Sequence, residues 1–262
     1  MKEYLSKIFY LRYFIFYVKN ISIRKNKITL VYSRGKTGTT TVYNSLLNHC
    51  SKIFQIHTLN KKIIDERLRK LKELKSPYPS SIIGSKYLSS RIGSFDSVNI
   101  ITVVRDPISI EISSYFQNKV KFDFSFKSQD ELINYLRNRN FEDGTWFDNE
   151  IKEVIGIDVF NKEFDKKTGY SVIENDNIRV LVLKLERIND VGESALSEFT
   201  SKKIHLVNSN VAKEKKYVDE YLATKKNFTV PKEILDYVYN SKYVRHFYTD
   251  KEIEKFKVKW SS

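Results

Sequence analysis

Short apolar runs alternate with amphipathic stretches through the first two thirds of the chain. Five of these runs predict strands, at residues 27–33, 52–57, 80–86, 98–104 and 178–186. Several are apolar without alternation, which is typical of parallel strands buried on both faces. Helical periodicity between the runs predicts helices at residues 40–48, 61–74 and 107–118. Alternating strands and helices predict a three-layer α/β domain with a mainly parallel central sheet.

The pattern changes after residue 120, where helical signals replace strand signals. Ser128 and Glu131 form a capping box that predicts the start of a helix. We therefore expect a helical insertion at about residues 120–160, between the fourth and fifth predicted strands. Residues 161–177 are polar and predict a loop or a hairpin.

The end of the chain is again helical in pattern. Pro231 is suited to the first position of a helix, and Thr249 with Glu252 forms a second capping box. The chain contains no internal repeat and no linker rich in proline, glycine or serine. The sequence therefore predicts a single domain over residues 1–262, with a helical C-terminal tail.

Composition restricts the classes of partner. The 262 residues include 46 Lys and Arg against 32 Asp and Glu, a net charge of +14, which favours phosphorylated ligands or anionic surfaces. Cys50 is the only cysteine, which excludes an internal disulfide and a thiol-rich metal site and predicts a cytoplasmic location.

The first 20 residues have an apolar run of only six, against the ~20 needed to span a membrane. They predict an amphipathic helix that covers the domain, with peripheral contact at the inner face of the membrane as the alternative.

The stretch "SRGKTGTTT", residues 33–41, follows the first predicted strand and leads into a helix. Backbone N–H groups at a helix start favour a phosphate, and glycine lets the chain approach it closely. Threonine hydroxyls and Lys36 add further donors. The stretch predicts a phosphate-binding loop, against the alternative of an ordinary strand–helix turn with capping threonines.

The loop differs from that of nucleotide triphosphatases, G-x-x-x-x-G-K-[ST]. Gly35-Lys36-Thr37 fits the end of that motif, but its first glycine would fall at Leu30, inside the strand. The strand at 178–186 ends in Glu186 rather than in an aspartate suited to magnesium. The sequence therefore predicts no metal site.

A second phosphate-type motif follows the fourth predicted strand, in "RDPISIEIS". Arg105 ends the strand, Asp106 can cap the next helix, and Pro107 can open it. Ser113 lies two turns into that helix. The arginine and the serine can together hold a second phosphate.

These two motifs resemble the donor-binding motifs of sulfotransferases that use 3′-phosphoadenosine 5′-phosphosulfate (PAPS). That family has an R/K-x-G-T/S-T loop for the 5′-phosphosulfate, and an arginine followed eight residues later by a serine for the 3′-phosphate. The resemblance implies a P-loop-like fold and sulfonate transfer without a metal. It implies a donor site formed by Arg34, Gly35, Lys36, Thr37, Gly38, Thr39, Thr40, Thr41, Arg105 and Ser113.

The order Arg34-Gly35-Lys36 departs from that family's usual order. It leaves open which of the two cations contacts the leaving phosphate, and Lys36 is favoured because it directly precedes Thr37-Gly38-Thr39-Thr40. More narrowly, four stretches are similar to a bacterial family of capsular polysaccharide synthesis proteins: "KTGTTTVYNSL", "RDPISIEISSYFQN", "WFDNEIKEVIGIDVF" and "HFYTDKEI". This similarity implies a saccharide or another hydroxyl compound as acceptor, and no nucleic acid as partner.

The catalytic assignments are Lys36, for charge on the departing oxygen, and His57, as general base at the end of the second strand. Asp65 and Glu66 are the alternatives to His57. By resemblance, Lys86 at the end of the strand 80–86 can contact the sulfonate. His205 and His246 are interpreted as structural. Further 3′-phosphate contacts are possible at Asn208, Lys213 and Lys216, where a solvated basic helix face is the favoured interpretation.

Two other classes of function remain open at this stage. A kinase or nucleotide triphosphatase with a degenerate loop would bind ATP with magnesium. A non-catalytic basic module would bind polyanions in a strongly salt-dependent manner.

Overall fold

The fold centres on one five-stranded sheet. A computed structural model describes residues 27–122, 128–207, 221–224 and 228–261, together with residues 11 and 15. The strands are β1 (Lys27–Tyr32), β2 (Ile53–Ile56), β3 (Ser97–Val104), β4 (Tyr170–Asn175) and β5 (Ile178–Lys184). Their order in the sheet is β2-β1-β3-β5-β4, with β4 antiparallel to β5 and every other pair parallel. The prediction of a mainly parallel sheet is confirmed.

The three central strands, β1, β3 and β5, are buried on both faces, as their continuous apolar runs predicted. In β3, Val98 and Ile100 belong to one buried cluster, whereas Ile101 and Val103 belong to another. Side chains of successive strand residues point to opposite faces, so the two clusters lie on opposite sides of the sheet. Helices cover both sides because each face must exclude water.

Nine α-helices of six residues or more lie around the sheet in the described part of the chain. They are α1 (Thr39–Leu46), α2 (Lys61–Glu73), α3 (Ser80–Ser89), α4 (Pro107–Phe122), α5 (Gln129–Arg137), α6 (Ile188–Thr200), α7 (Lys232–Tyr239), α8 (Lys242–Phe247) and α9 (Asp250–Ser261). A π-helical segment, Phe147–Lys152, continues into one α-helical turn, Glu153–Ile155. Short 3₁₀ turns occur at Ile92–Ser94, Val159–Asn161 and Leu185–Arg187.

One predicted strand is wrong. Residues 80–86 lie in α3, which packs against α2 and β2. Ile82 and Ile83 join Ile64 of α2 in a separate small apolar cluster. A short apolar run does not distinguish a buried strand from a buried helix, and Pro79 at the N-cap supplies a helix-start signal. Lys86 is therefore helical, and its assignment as a strand-end lysine is also wrong.

The predicted helical insertion and tail are confirmed, together with the capping boxes at Ser128 and Thr249. Pro231 lies at the N-cap of α7, one position before the place predicted for it. The Ser128 side chain accepts a hydrogen bond from the Glu131 N–H at the start of α5. The Thr249 N–H donates to the Glu252 carboxylate at 2.8 Å, and the Glu252 N–H donates to the Thr249 hydroxyl at 3.3 Å. Residues 161–177 contain β4, which forms the predicted hairpin with β5.

Other predictions fall outside the described residues. The amphipathic helix expected in the first 20 residues is described only at Leu11 and Ile15, which are helical and exposed. The possible phosphate contacts at residues 208, 213 and 216 also lie outside the described residues. No helix among the described residues is both long and apolar enough to cross a membrane.

Candidate functional site

The candidate residues meet at the carboxyl edge of the sheet. The central strand β1 has β2 and β3 as parallel neighbours, so the segments that leave these three strands emerge side by side. Those segments contain the phosphate-type loop at 33–41, His57 and Arg105. This edge, outside the carboxyl ends of parallel strands, is where ligands bind in open α/β sheets.

The backbone of the loop alternates in conformation. Lys36 and Gly38 have positive φ angles, 71° and 84°, whereas Gly35 and Thr37 do not. Alternation of this kind is characteristic of anion-binding nests, in which successive N–H groups face one concavity. Helix α1 then begins at Thr39 with no side-chain cap. The first N–H groups of a helix without a side-chain cap can serve an anionic ligand.

The two loop glycines have different roles. A Cβ at Gly38 would lie 2.4 Å from Cδ1 of Leu185, at a φ angle that favours glycine. A Cβ at Gly35 would meet nothing within 4 Å. Gly38 is therefore needed for the loop conformation, whereas Gly35 leaves open space above the loop.

Two of the threonine hydroxyls hold the loop rather than point away from it. The Thr37 hydroxyl is buried and donates to the backbone oxygen of Arg34 at 2.9 Å. The Thr39 hydroxyl accepts a hydrogen bond from Nε2 of Gln55, in β2, at 2.8 Å. Thr40 and Thr41 are half-buried in the first turn of α1.

Arg34 faces the helical insertion and α4. Its guanidinium pairs with Glu111 at 2.5 Å and with Glu142 at 2.9 Å, and both carboxylates are buried. Arg139 also pairs with Glu111, at 2.8 Å. Burial raises the pKa of Glu142, and the positive charge of Arg34 opposes that rise. Arg34 thus compensates the charge of two buried carboxylates.

Arg105 contacts the loop directly. Its guanidinium donates to the backbone oxygen of Lys36 at 2.7 Å. The hydroxyl of buried Tyr243, in α8, accepts from the Arg105 N–H at 2.9 Å and donates to the Arg105 carbonyl at 3.0 Å. The two predicted phosphate motifs therefore share one location. Ser113 is half-buried on α4, and its hydroxyl forms no hydrogen bond with any described residue.

Asp106 is structural. It is 1% exposed and caps α4 by accepting from the N–H groups of Ile108 and Ser109. Its oxygens also accept 2.9 Å hydrogen bonds from Tyr239 and Trp260. The residue after Arg105 thereby fixes the C-terminal helices against the end of β3.

His57 is held in one tautomer by its backbone contact. Its Nδ1 lies 2.8 Å from the backbone oxygen of Ser33. A carbonyl can only accept, so Nδ1 carries the proton and neutral His57 has an unprotonated Nε2. Burial lowers the pKa of His57; the hydrogen bond to Ser33 opposes this, and the positive charges of Arg67 and Lys36 lower the pKa further. The side chain is therefore a neutral proton acceptor at pH 7.

The helical insertion fixes the segment that carries His57. The Trp146 indole donates to the His57 carbonyl at 3.1 Å. Buried Glu150, in the π-helical segment, accepts from the Thr58 hydroxyl at 2.5 Å and from the N–H groups of Leu59 and Asn60 at 2.8 and 3.0 Å. It also accepts from the hydroxyl of Tyr32, at the end of β1. π-Helical turns often occur at functional sites.

The sequence did not identify these supporting residues. Glu111, Glu142, Trp146, Glu150 and Tyr243 are distant in sequence from the motifs that they hold. Glu150 lies within the similar stretch "WFDNEIKEVIGIDVF", which was the only available signal for it.

The other candidate residues lie apart from the loop. Asp65 pairs with Lys86 at 2.7 Å, and Glu66 pairs with Lys70 at 2.7 Å, all on α2 and α3. His205 is exposed beside Glu193, at 3.5 Å. His246 packs against the rings of Phe160 and Phe247. Asp65 and Glu66 are thus engaged in ion pairs on α2, whereas His57 contacts Ser33 at the start of the loop.

One family model matches a segment of the chain that contributes residues to this site. Residues 129–249, just under half of the chain, match the family model described as "Putative capsular polysaccharide synthesis protein". No curated protein matches the chain. The matched segment excludes the loop, His57 and Arg105. It includes Glu142, which pairs with Arg34. It also includes four residues that hold the neighbouring strand ends: Trp146, Glu150, Tyr239 and Tyr243.

Proposed function

We propose that the protein is a PAPS-dependent sulfotransferase with a P-loop-like donor site. The observation that carries the proposal is the contact between the Arg105 guanidinium and the backbone oxygen of Lys36. It joins a phosphate-type loop on β1 to the basic end of β3. A donor with phosphates on both the 3′ and the 5′ position of its ribose requires two such sites at one location.

The open space at Gly35 and the absence of a side-chain cap on α1 fit a bound phosphate. The donor supplies an activated sulfonate, which passes to an acceptor hydroxyl as the bond to the phosphate oxygen breaks. Lys36 and the first N–H groups of α1 stabilise the negative charge that develops on that oxygen. Arg105 and Ser113 bind the 3′-phosphate. Arg34 contributes by fixing the start of the loop through Glu111 and Glu142.

His57 is the general base in this scheme. Its Nε2 has no hydrogen-bond partner among the described residues and takes the proton of the acceptor hydroxyl. The positively charged ring that results is still held by Ser33. The segment match favours a saccharide acceptor in capsular polysaccharide synthesis, a reaction that takes place at the cytoplasmic side of the membrane in this proposal.

Ligand-induced stabilisation of the whole chain tests the proposal. The three ligands are adenosine 3′,5′-bisphosphate, ATP with magnesium, and an oligonucleotide. A ligand at a hundred times its dissociation constant adds ~2.7 kcal/mol to the free energy of unfolding. We expect that gain with the bisphosphate. Stabilisation by ATP with magnesium alone supports a kinase, and salt-sensitive stabilisation by the oligonucleotide alone supports a polyanion-binding module.

A further inference from the structure

A separate cavity lies beside His57. It has a volume of about 280 Å³ and lies between α2 and α3. His57 and Thr58 line it, and so do buried Ile82 and exposed Leu74, which are 5% and 74% exposed. The cavity therefore runs from the interior, near the proposed base, to the protein surface.

The size and lining of the cavity favour an apolar group. A cavity of ~150 Å³ lined by apolar side chains holds one benzene molecule. By that measure this cavity has room for roughly eight to twelve carbon atoms. Leu71, Leu74 and Ile82 supply apolar walls, and nearby Ile64 and Leu68 belong to the same small cluster.

The outer part of the cavity is cationic. Arg67 and Lys70 line it, and helix α2 carries six Lys and Arg residues against three Asp and Glu. Lys70 already pairs with Glu66 at 2.7 Å. Arg67 is exposed and forms no ion pair with any described residue, and its charge also acts on His57. An anion near Arg67 would therefore be favoured.

We infer that this cavity binds the acceptor of the proposed reaction, and that the acceptor is an anionic amphiphile. Its apolar group of roughly eight to twelve carbons lies between α2 and α3, its anionic group pairs with Arg67, and its reacting hydroxyl lies at His57. This inference rests on the proposed function for the role of His57. Neither apolar walls nor a cation suits an unmodified neutral saccharide, so the combination selects an acceptor that carries both groups.

Octyl phosphate, kept below its micelle-forming concentration, is a suitable probe of the full chain. Octyl glucoside, inorganic phosphate and anionic vesicles serve as comparisons in the same titration. We expect octyl phosphate to bind most tightly and to shift the ring resonances of His57. Arg67→Gln should weaken its binding about fivefold, the effect of a partly exposed ion pair. Arg69→Gln, on the same helix but outside the cavity lining, should not change it.

A variant that fills the cavity gives a second test. Leu71→Trp should abolish binding of octyl phosphate, provided that its unfolding transition shows a folded chain. If Leu71→Trp does not fold, the comparison of Arg67→Gln with Arg69→Gln tests the inference instead. Equal binding of octyl phosphate and octyl glucoside would overturn the anionic part of the inference. Binding to vesicles alone would replace the cavity with a membrane surface.

The same titration series separates this inference from the proposed function. Failure of octyl phosphate to bind, with adenosine 3′,5′-bisphosphate still bound, would overturn the cavity assignment alone. Binding of octyl phosphate without any binding of the bisphosphate would overturn the sulfotransferase proposal.

Discussion

The Arg105 side chain is hydrogen-bonded to the main chain of Lys36, with 2.7 Å between the guanidinium nitrogen and the carbonyl oxygen. This bond crosses from the end of β3 to the loop after β1, and it uses a backbone acceptor. The Arg105 side chain can therefore support the loop and still direct other N–H groups at a ligand, because a guanidinium has five donors.

Arg105→Ala should weaken the binding of adenosine 3′,5′-bisphosphate. We expect a loss of about tenfold or more, because a charge-assisted hydrogen bond to phosphate contributes ~1.5–3 kcal/mol. Calorimetric titration measures the change. Arg137→Ala, which removes an exposed arginine paired with Glu233, is the control and should leave binding unchanged. Unaltered affinity in Arg105→Ala would remove Arg105 from the donor site.

Lys36→Ala should reduce turnover more than donor affinity. The lysine is assigned to charge that develops only in the transition state, and loss of one such group commonly costs ~10²–10³ in rate. Sulfonate transfer and bisphosphate binding are measured on the same preparation. Lys36→Arg keeps the charge and should retain part of the activity. An equal loss of affinity and turnover in Lys36→Ala would indicate ground-state binding instead.

His57→Gln should change the pH dependence of the reaction. The pKa of His57 is lowered, so the ring stays neutral until the pH falls below its ordinary value of 6.5. Wild-type kcat/KM should therefore decline on an acidic limb with its midpoint below 6.5. Glutamine can still donate to Ser33 but cannot titrate, so the variant should be slow and lose this limb.

His246→Gln is the matched control for the pH profile. Burial also lowers the pKa of His246, but its ring packs against Phe160 and Phe247, away from the loop. The acidic limb of kcat/KM in His246→Gln should remain as in the wild type. Persistence of the limb in His57→Gln would assign the proton transfer to another group.

The two loop glycines should respond differently to alanine. Gly38→Ala places a side chain at a positive φ and against Leu185, so we expect a loss of ~1–2 kcal/mol in stability. Gly35→Ala meets no protein atom and should unfold as the wild type does. Its methyl group would occupy space proposed for the ligand, so bisphosphate binding should fall about tenfold. Normal binding by Gly35→Ala would show that the ligand does not approach the loop there.

Glu150→Gln should destabilise the fold. The carboxylate accepts hydrogen bonds from four groups, and an amide nitrogen in its place would face donors. We expect a loss of ~3 kcal/mol in the free energy of unfolding, measured in urea. Glu153→Gln, at an exposed residue 3.7 Å from Lys62, should cost less than ~1 kcal/mol. Similar losses in both variants would mean that Glu150 has no special role.

Local signals predicted most of the fold. The strands and the caps at Ser128 and Thr249 depend on residues within a few positions of each other, which a sequence displays directly. The strand predicted at residues 80–86 was wrong, because a short apolar run fits a buried strand and a buried helix equally well. Apart from Pro79 at the N-cap, the contact of Ile82 and Ile83 with Ile64 on α2 decides between strand and helix.

The candidate site was predictable only in part. The motifs around Lys36 and Arg105 could be read because each is continuous, and parallel pairing of β1 with β3 then brings them together. The pairing of Arg34 with Glu142 could not be predicted, since 108 residues separate the two. The sequence favoured Lys36 over Arg34 only by its position directly before Thr37, and it gave no sign of the ion pairs that Arg34 forms.

The bonds from Glu150 to residues 58–60 have a consequence for biosynthesis. Thr58 and Glu150 are 92 positions apart, so His57 leaves the ribosome long before the carboxylate that fixes its neighbours is made. At ~5–20 residues per second this delay is roughly 5–20 s. The start of the loop is completed at almost the same time, because Glu142, which pairs with Arg34, precedes Glu150 by only eight positions. A nascent chain released before that point would lack both the Arg34–Glu142 pair and the contacts that position His57.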